Sequence, residues 1–305
     1  MSSFSRKIVV IILSAGLASC AVLTKSQIEA VGNLSAASSG VETGPSVVFS
    51  SLSDVREGRG AFFVASLSSA EARVTELEAL YGERIEDEKV AKKAEACTDV
   101  LNSYLRSLRS LSSEDRWKSA GTEIRGLGRN IDSMVIKYNK LGWSEEMQEG
   151  RVKTLSYAVA YIAQEYLKLR QAKALREYVT IGDTLVGLCV DQMVEILKDE
   201  KVRILIKQES VSAKEDYMAY VHYMGVRGAV IPMEADERYI EILGGLDRTE
   251  KIRRSTISSL QALKRGHHKL MLDIKSTQKI DVVFAELVEL SNESARLSKL
   301  FKDEQ

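Results

Sequence analysis

Histidine is the side chain best suited to move protons or hold a metal near neutral pH, and this 305-residue chain has three: His222, His267 and His268. No HExxH and no CxxC accompanies them, so the spacing of the common zinc sites is missing. Neighbouring helical residues point about 100° apart, which keeps His267 and His268 from facing one metal together. With Lys264, Arg265 and Lys269 beside them they read as a basic, solvated helix face, or as a contact for an anion or lipid phosphate. Gly121, Gly126 and Gly128 have a spacing that invites a phosphate-loop reading, but no Gly-Lys-Ser/Thr follows and they fall inside a helical apolar pattern. Acidic groups such as Glu86, Asp87 and Glu88, or Glu145 and Glu146, sit where helices begin and complement the positive end of the helix dipole. No catalytic motif emerges, and an enzyme would need residues scattered along the chain to converge.

The chemistry that the sequence does spell out lies at Cys20. Arg6 and Lys7 precede an apolar run from Ile8 to Leu23 that contains Ser14, Gly16 and Ser19. A membrane-spanning helix wants roughly twenty mostly apolar residues, whereas a basic start, a short apolar core and small residues form the layout of a secretory signal. Leu17, Ala18, Ser19 and Cys20 then resemble the lipobox of bacterial lipoproteins. The resemblance covers the signal, residues 1–19, and Cys20 alone. It implies diacylglycerol on the Cys20 thiol, cleavage ahead of Cys20 and an N-acyl chain on the new terminus. Each buried methylene contributes about 0.8 kcal/mol and a single chain holds only marginally, so two or three chains make a lasting anchor. Ala21 stands where an Asp would signal retention at the inner membrane, so the expected address is the outer membrane, facing the periplasm.

The expected compartment would permit the remaining cysteines, Cys97 and Cys189, to pair, though each also sits in an apolar helical pattern, where a free thiol behaves as a small hydrophobe. Lys plus Arg and Asp plus Glu number 43 each, which leaves no electrostatic footprint for nucleic acid. The expected partners are membrane lipid, through Cys20, and an envelope protein. Two prolines and 6% aromatics, against 45% hydrophobic and 28% charged residues, suit an all-α protein built on aliphatic side chains.

The elements expected to carry these residues are long amphipathic helices. Residues 20–53 are rich in Ser, Gly and Ala and read as a flexible tether with a short helix near Lys25 to Val31 and a patch, Val47, Val48 and Phe49, that could instead dock on the body; a main helical bundle over 54–225 and C-terminal helices over 226–305 that could belong to the same bundle follow. Apolar residues recur at steps of three and four, as in Val90, Ala94, Cys97, Leu101, Tyr104, Leu108 and Leu111. The same holds for Trp117 to Leu141 and Val152 to Leu169. Such steps predict an elongated antiparallel bundle with coiled-coil-like packing. The segment Tyr178 to Ile206 is apolar around much of its circumference and should be the most buried. Breaks are expected near Gly58 and Gly60, before Ser212, at Gly225 to Pro232 and at Gly244 and Gly245.

Tyr217, Tyr220, Tyr223 and Met224 form the densest aromatic cluster. Three of them fall on one helical stripe, so they serve either the core or a partner surface. The function expected from all this is a non-enzymatic, lipid-anchored scaffold or accessory subunit. An immunity protein against an exported toxin and a membrane-active helical bundle are the alternatives.

Overall fold

The computed structural model describes residues 24–41, 44–112, 171–275 and 281–302. The expected helices over Trp117–Leu141 and Val152–Leu169, the signal residues Leu17, Ala18 and Ser19, and Cys20 lie outside the described residues. The chain is all-α: α1 (Lys25–Ala37), a 3-10 turn (Ser38–Val41), α2 (Gly44–Ser66), α3 (Ala70–Ser112), α4 (Gln171–Lys198), α5 (Glu200–Val226), α6 (Met233–Lys275) and α7 (Ala285–Lys302).

These elements make four columns. Helices α3 and α6 have 43 residues each, about 65 Å at 1.5 Å per residue, and run down the full length. The other two columns run up and are each broken once: α1 is succeeded by α2, and α4 by α5. Contacts fix the directions. Ser35 of α1 donates to the Leu105 carbonyl of α3 at 2.8 Å, and Gly32 lies against Ser112, so α1 starts at the end where α3 finishes. Leu80 of α3 covers Gly60 of α2. Tyr217 of α5 reaches Asp236 of α6. Helix α7 packs along the lower half of α6.

Both breaks fall at one level of α6. Gly44, which opens α2, sits on Thr256, and the buried Arg253 donates from Nη1 to the Leu197 carbonyl at 2.8 Å. That bond satisfies one of the carbonyls left without a helical partner where α4 stops. Glu250 holds the same guanidinium through Nε and Nη2 at 2.7 and 2.9 Å.

The core follows the expected stripes: Val90, Ala94, Cys97, Leu101, Tyr104, Leu108 and Leu111 are all buried, as are Leu185, Val186, Cys189, Val190, Met193, Ile196 and Leu197. Several expected boundaries are corrected. Residues 24–53 are no tether: Ala30, Val31 and Leu34 of α1, and Val48, Phe49 and Leu52 of α2, belong to the core. Thr24 caps α1 by a reciprocal capping box with Gln27. Gly58 and Gly60 do not interrupt α2. They let it approach its neighbours, since a Cβ on Gly60 would meet Leu80 at 2.5 Å and one on Gly58 would meet Arg238 at 2.8 Å. Ser212 lies inside α5, and α6 passes through Gly244 and Gly245 unbroken. The break that does occur between 225 and 232 is a Schellman turn: Ala229 N–H bonds to Met224 O and Gly228 N–H to Gly225 O, both at 3.0 Å, with Gly228 at φ 64°.

Candidate functional site

The upper half of the bundle, where α2 lies between α3, α5 and α6, carries a buried ionic ladder. Arg56 of α2 donates from Nε to Glu209 of α5 at 2.9 Å and from Nη1 to Asp87 of α3 at 2.6 Å. Arg59, one turn on, donates to Glu209 and, from Nη1, to Asp216 at 2.9 Å. Glu209 is thus shared by two guanidiniums in a nearly dry setting. Burial, partly offset by the arginines, holds the carboxyls of Asp87 and Asp216 above the usual range, and the neighbouring Glu209 adds to the rise. Above this ladder a groove of ≈ 990 Å³ opens between α3 and α5. Glu83, Glu86 and Gly82 form its α3 wall, and Ile204, Leu205 and Val211 its α5 wall.

At the end of the same half, aromatic rings tie α2, α5 and α6 together. Tyr217 stacks on Tyr239 with centroids 4.4 Å apart and takes Phe62 edge-on at 5.2 Å. Its hydroxyl donates to Asp236, and that bond raises its pKa to about 12. Tyr220 leans on Phe62 at 5.5 Å, and the Arg227 guanidinium lies 4.3 Å over the Tyr223 ring. All three tyrosines and Met224 are half-buried, so the cluster braces the tip and presents only its edges. The more open apolar surface is around it: Met218, Val226, Val230 and Met233, the last two 87% and 68% exposed. Val74, Leu77, Tyr81 and Ile85 add an uncovered stripe on α3.

In the lower half, three helices meet at a polar chain. Tyr104 of α3 bonds His267 Nε2 of α6 at 2.6 Å, and His267 Nδ1 lies 3.1 Å from Asp183 of α4, whose other oxygen is 2.9 Å from His268 Nδ1. A neutral imidazole satisfies both contacts, accepting from the hydroxyl and donating to the carboxylate. Hydroxyl, imidazole and carboxylate in this order are used in nucleophilic catalysis, but Tyr104 and His267 are 1% and 0% exposed, so here the chain works as an internal clamp. The expected basic, solvated face is corrected at His267 alone, since Arg265 and His268 are exposed. His267 is core rather than surface, Lys264 pairs with Asp191, Arg265 with Glu289 and Lys269 with Asp273.

Burial pushes the His267 pKa below its ordinary value, and the bond to Asp183 only partly opposes this. Asp183 is itself held low: burial raises it, but hydrogen bonds from His267 and His268 outweigh that. Both shifts have one sign in linkage: as pH falls, the unfolded chain takes up protons that the folded chain refuses. The stability due to His267 is complete above about pH 6.5 and declines below it, and that due to Asp183 is lost at lower pH still. Urea unfolding at pH 7.5 and 5.0 should therefore show a loss at pH 5.0 that shrinks in His267→Gln. An equal loss in both proteins would remove His267 from the account.

Cys97 and Cys189 are free, fully buried thiols rather than a disulfide. Burial pushes Cys97 up to about 12, and Cys189 higher than its ordinary value, with Cys97 nearby adding to the rise. Thiols so protonated and enclosed are poor nucleophiles. Among the described residues, no group of three His, Cys, Asp or Glu side chains is placed to hold a metal ion, and no helix is long and apolar enough to cross a membrane. No protein-family model, curated protein or solved structure matches this chain.

Proposed function

We propose that the chain is a lipid-anchored envelope lipoprotein that works as a non-enzymatic helical scaffold or protein-binding accessory subunit. Diacylglycerol and an N-acyl chain at Cys20 would hold it to the outer membrane, with its body in the periplasm. The observation that carries the reading is the polarity of the bundle. Helix α1 begins at Lys25, only five positions after Cys20, and it begins at the end of the bundle opposite the exposed Val226, Val230 and Met233. The five Cα–Cα steps from Cys20 to Lys25 span at most about 18 Å. An anchor at Cys20 would therefore keep the lower end close to the bilayer and hold the apolar tip roughly 65 Å away, the length of α3. Stiff columns that share one core along their length and carry open apolar residues at the far end are what a spacer that presents a contact surface requires.

In a diderm host, the expressed protein should incorporate a clickable palmitate analogue and sediment with membranes. Cys20→Ser should lose both the label and the sedimentation. Membrane-bound protein without label in the unmodified chain would overturn the proposal.

A further inference from the structure

We propose that a second copy of this chain is a partner: the exposed stripe of α3 on one copy pairs with the exposed stripe of α5 on another, the two copies inverted and their upper halves overlapping. The inference deepens the proposed function by naming the partner, and rests on that reading only for the premise that the chain binds protein.

Both stripes repeat every seven residues. On α3, Val74 and Tyr81 are exposed, with the exposed Leu77 between them, and the exposed acids Glu71 and Glu78 each stand three places before one of the pair. On α5, Val211 and Met218 are exposed, and the exposed Lys207 and Lys214 each stand four places before one of them. At about 100° per residue, three places back sets a side chain about 60° to one side of its apolar neighbour, and four places back about 40° to the other side. The acids therefore line one edge of the α3 stripe, and the lysines line the opposite edge of the α5 stripe. Arg73 borders the other edge of the first, and Glu215 the other edge of the second.

These charges are not used inside the bundle. Glu71 takes the Ser69 hydroxyl at 2.8 Å and Arg73 donates to the Val64 carbonyl at 2.7 Å. Among the described residues, no ion pair reaches either of them, nor Glu78, Lys207, Lys214 or Glu215.

One register of two parallel helices satisfies both stripes. With Val211 over Val74, Met218 falls on Tyr81, and Lys207 and Lys214 come level with Ala70 and Leu77, beside Glu71 and Glu78. Glu215 then lies five places on from the level of Arg73, the interval at which the flanking charges of parallel helices pair. An antiparallel pair would bring like edges together, Glu71 and Glu78 against Glu215 and the lysines against Arg73. Since α3 and α5 run in opposite directions within one copy, a parallel pair between copies requires the copies to be inverted. Leu77 and Glu86 are nine places apart, on opposite sides of α3, and Glu86 lines the groove toward α5. The α3 stripe thus faces away from α5, so one neighbour cannot make the contact twice. The contact is heterologous, and each copy offers one stripe to each of two neighbours.

The test follows the full chain in a density-matched nonionic detergent by sedimentation over a concentration series. The unmodified chain should grow from monomer to dimer and beyond. Glu71→Lys with Glu78→Lys should weaken association about tenfold or more, and so should Lys207→Glu with Lys214→Glu. An equimolar mixture of these two variants should associate again, because each carries the charges that the other's stripes need. Glu95→Lys with Asp99→Lys, exposed acids farther along α3, should leave association within about twofold. Direction is read by treating mixed Val74→Cys and Val211→Cys chains with a mild thiol oxidant, which should give a mixed disulfide dimer, whereas Val74→Cys with Met218→Cys should give little. A chain that stays monomeric to its solubility limit, a mixture of the two charge variants that fails to associate, or a stronger cross-link from position 74 to 218 than to 211 would each overturn the proposal. Association in detergent does not depend on acylation, so a failed contact and a failed anchor are told apart.

Discussion

Gly182→Ala should destabilise the protein by about 3 kcal/mol, a large effect for one methyl group. The new Cβ would lie 2.0 Å from the Tyr104 hydroxyl oxygen and 2.1 Å from Cζ. Tyr104 cannot give way easily, because it is stacked on Tyr178 at 5.2 Å and bonded to His267 at 2.6 Å. Overpacking a core costs about 1–3 kcal/mol, and displacing Tyr104 leaves the buried imidazole short of a partner for another 1–3 kcal/mol. Against this, Ala favours helix over Gly by up to about 1 kcal/mol. Urea unfolding of the single variants and of Gly182→Ala with Tyr104→Ala forms a cycle. The double variant should be more stable than the sum of the two losses predicts, since removing the ring removes the clash. Additive losses would show that the two positions do not collide.

The second large effect is expected at Glu209. Glu209→Ala should cost about 3–5 kcal/mol, because it leaves Arg56 and Arg59 charged and buried without the acid they share. The exposed pair Arg203 and Glu200 is the natural contrast: its side chains are 65% and 59% exposed, and Glu200→Ala should change stability by only about 0.5 kcal/mol or less. Chemical denaturation of both variants at one salt concentration checks the difference. A Glu209→Ala cost no greater than that of Glu200→Ala would mean that water reaches the ladder freely.

The helical class and the buried stripes of α3 and α4 were legible because they depend on local periodicity, which side-chain direction on a helix converts directly into a face. The start of the bundle was legible only in part: a short helix near Lys25 and an apolar patch at Val47 to Phe49 could be read, but not that both belong to the core. Helix α1 is built on Ser, Ala and Gly, a composition that resembles a linker, yet small side chains let it lie close to α3, where Ser35 bonds the Leu105 carbonyl. Glycine misled for a related reason. Gly58 and Gly60 read as interruptions in the sequence, and each turns out to admit a large side chain from another helix, as Gly182 also does. The ionic ladder and the clamp could not be read at all. Arg56 and Glu209 are 153 positions apart and Tyr104 and His267 are 163 apart, so only the arrangement of the columns brings them together. The tyrosine cluster was found by density alone. Its role as an internal brace, with the exposed residues lying next to it on the tip, is set by Phe62 and Tyr239 from helices that the cluster's own sequence does not announce.

The most direct test of the account is the intact mass of the protein extracted from membranes of a diderm host. The account predicts a chain that starts at Cys20, with residues 1–19 gone and the added mass of diacylglycerol and one N-linked acyl chain. A chain that keeps residues 1–19, or one that starts at an unmodified Cys20, would contradict it.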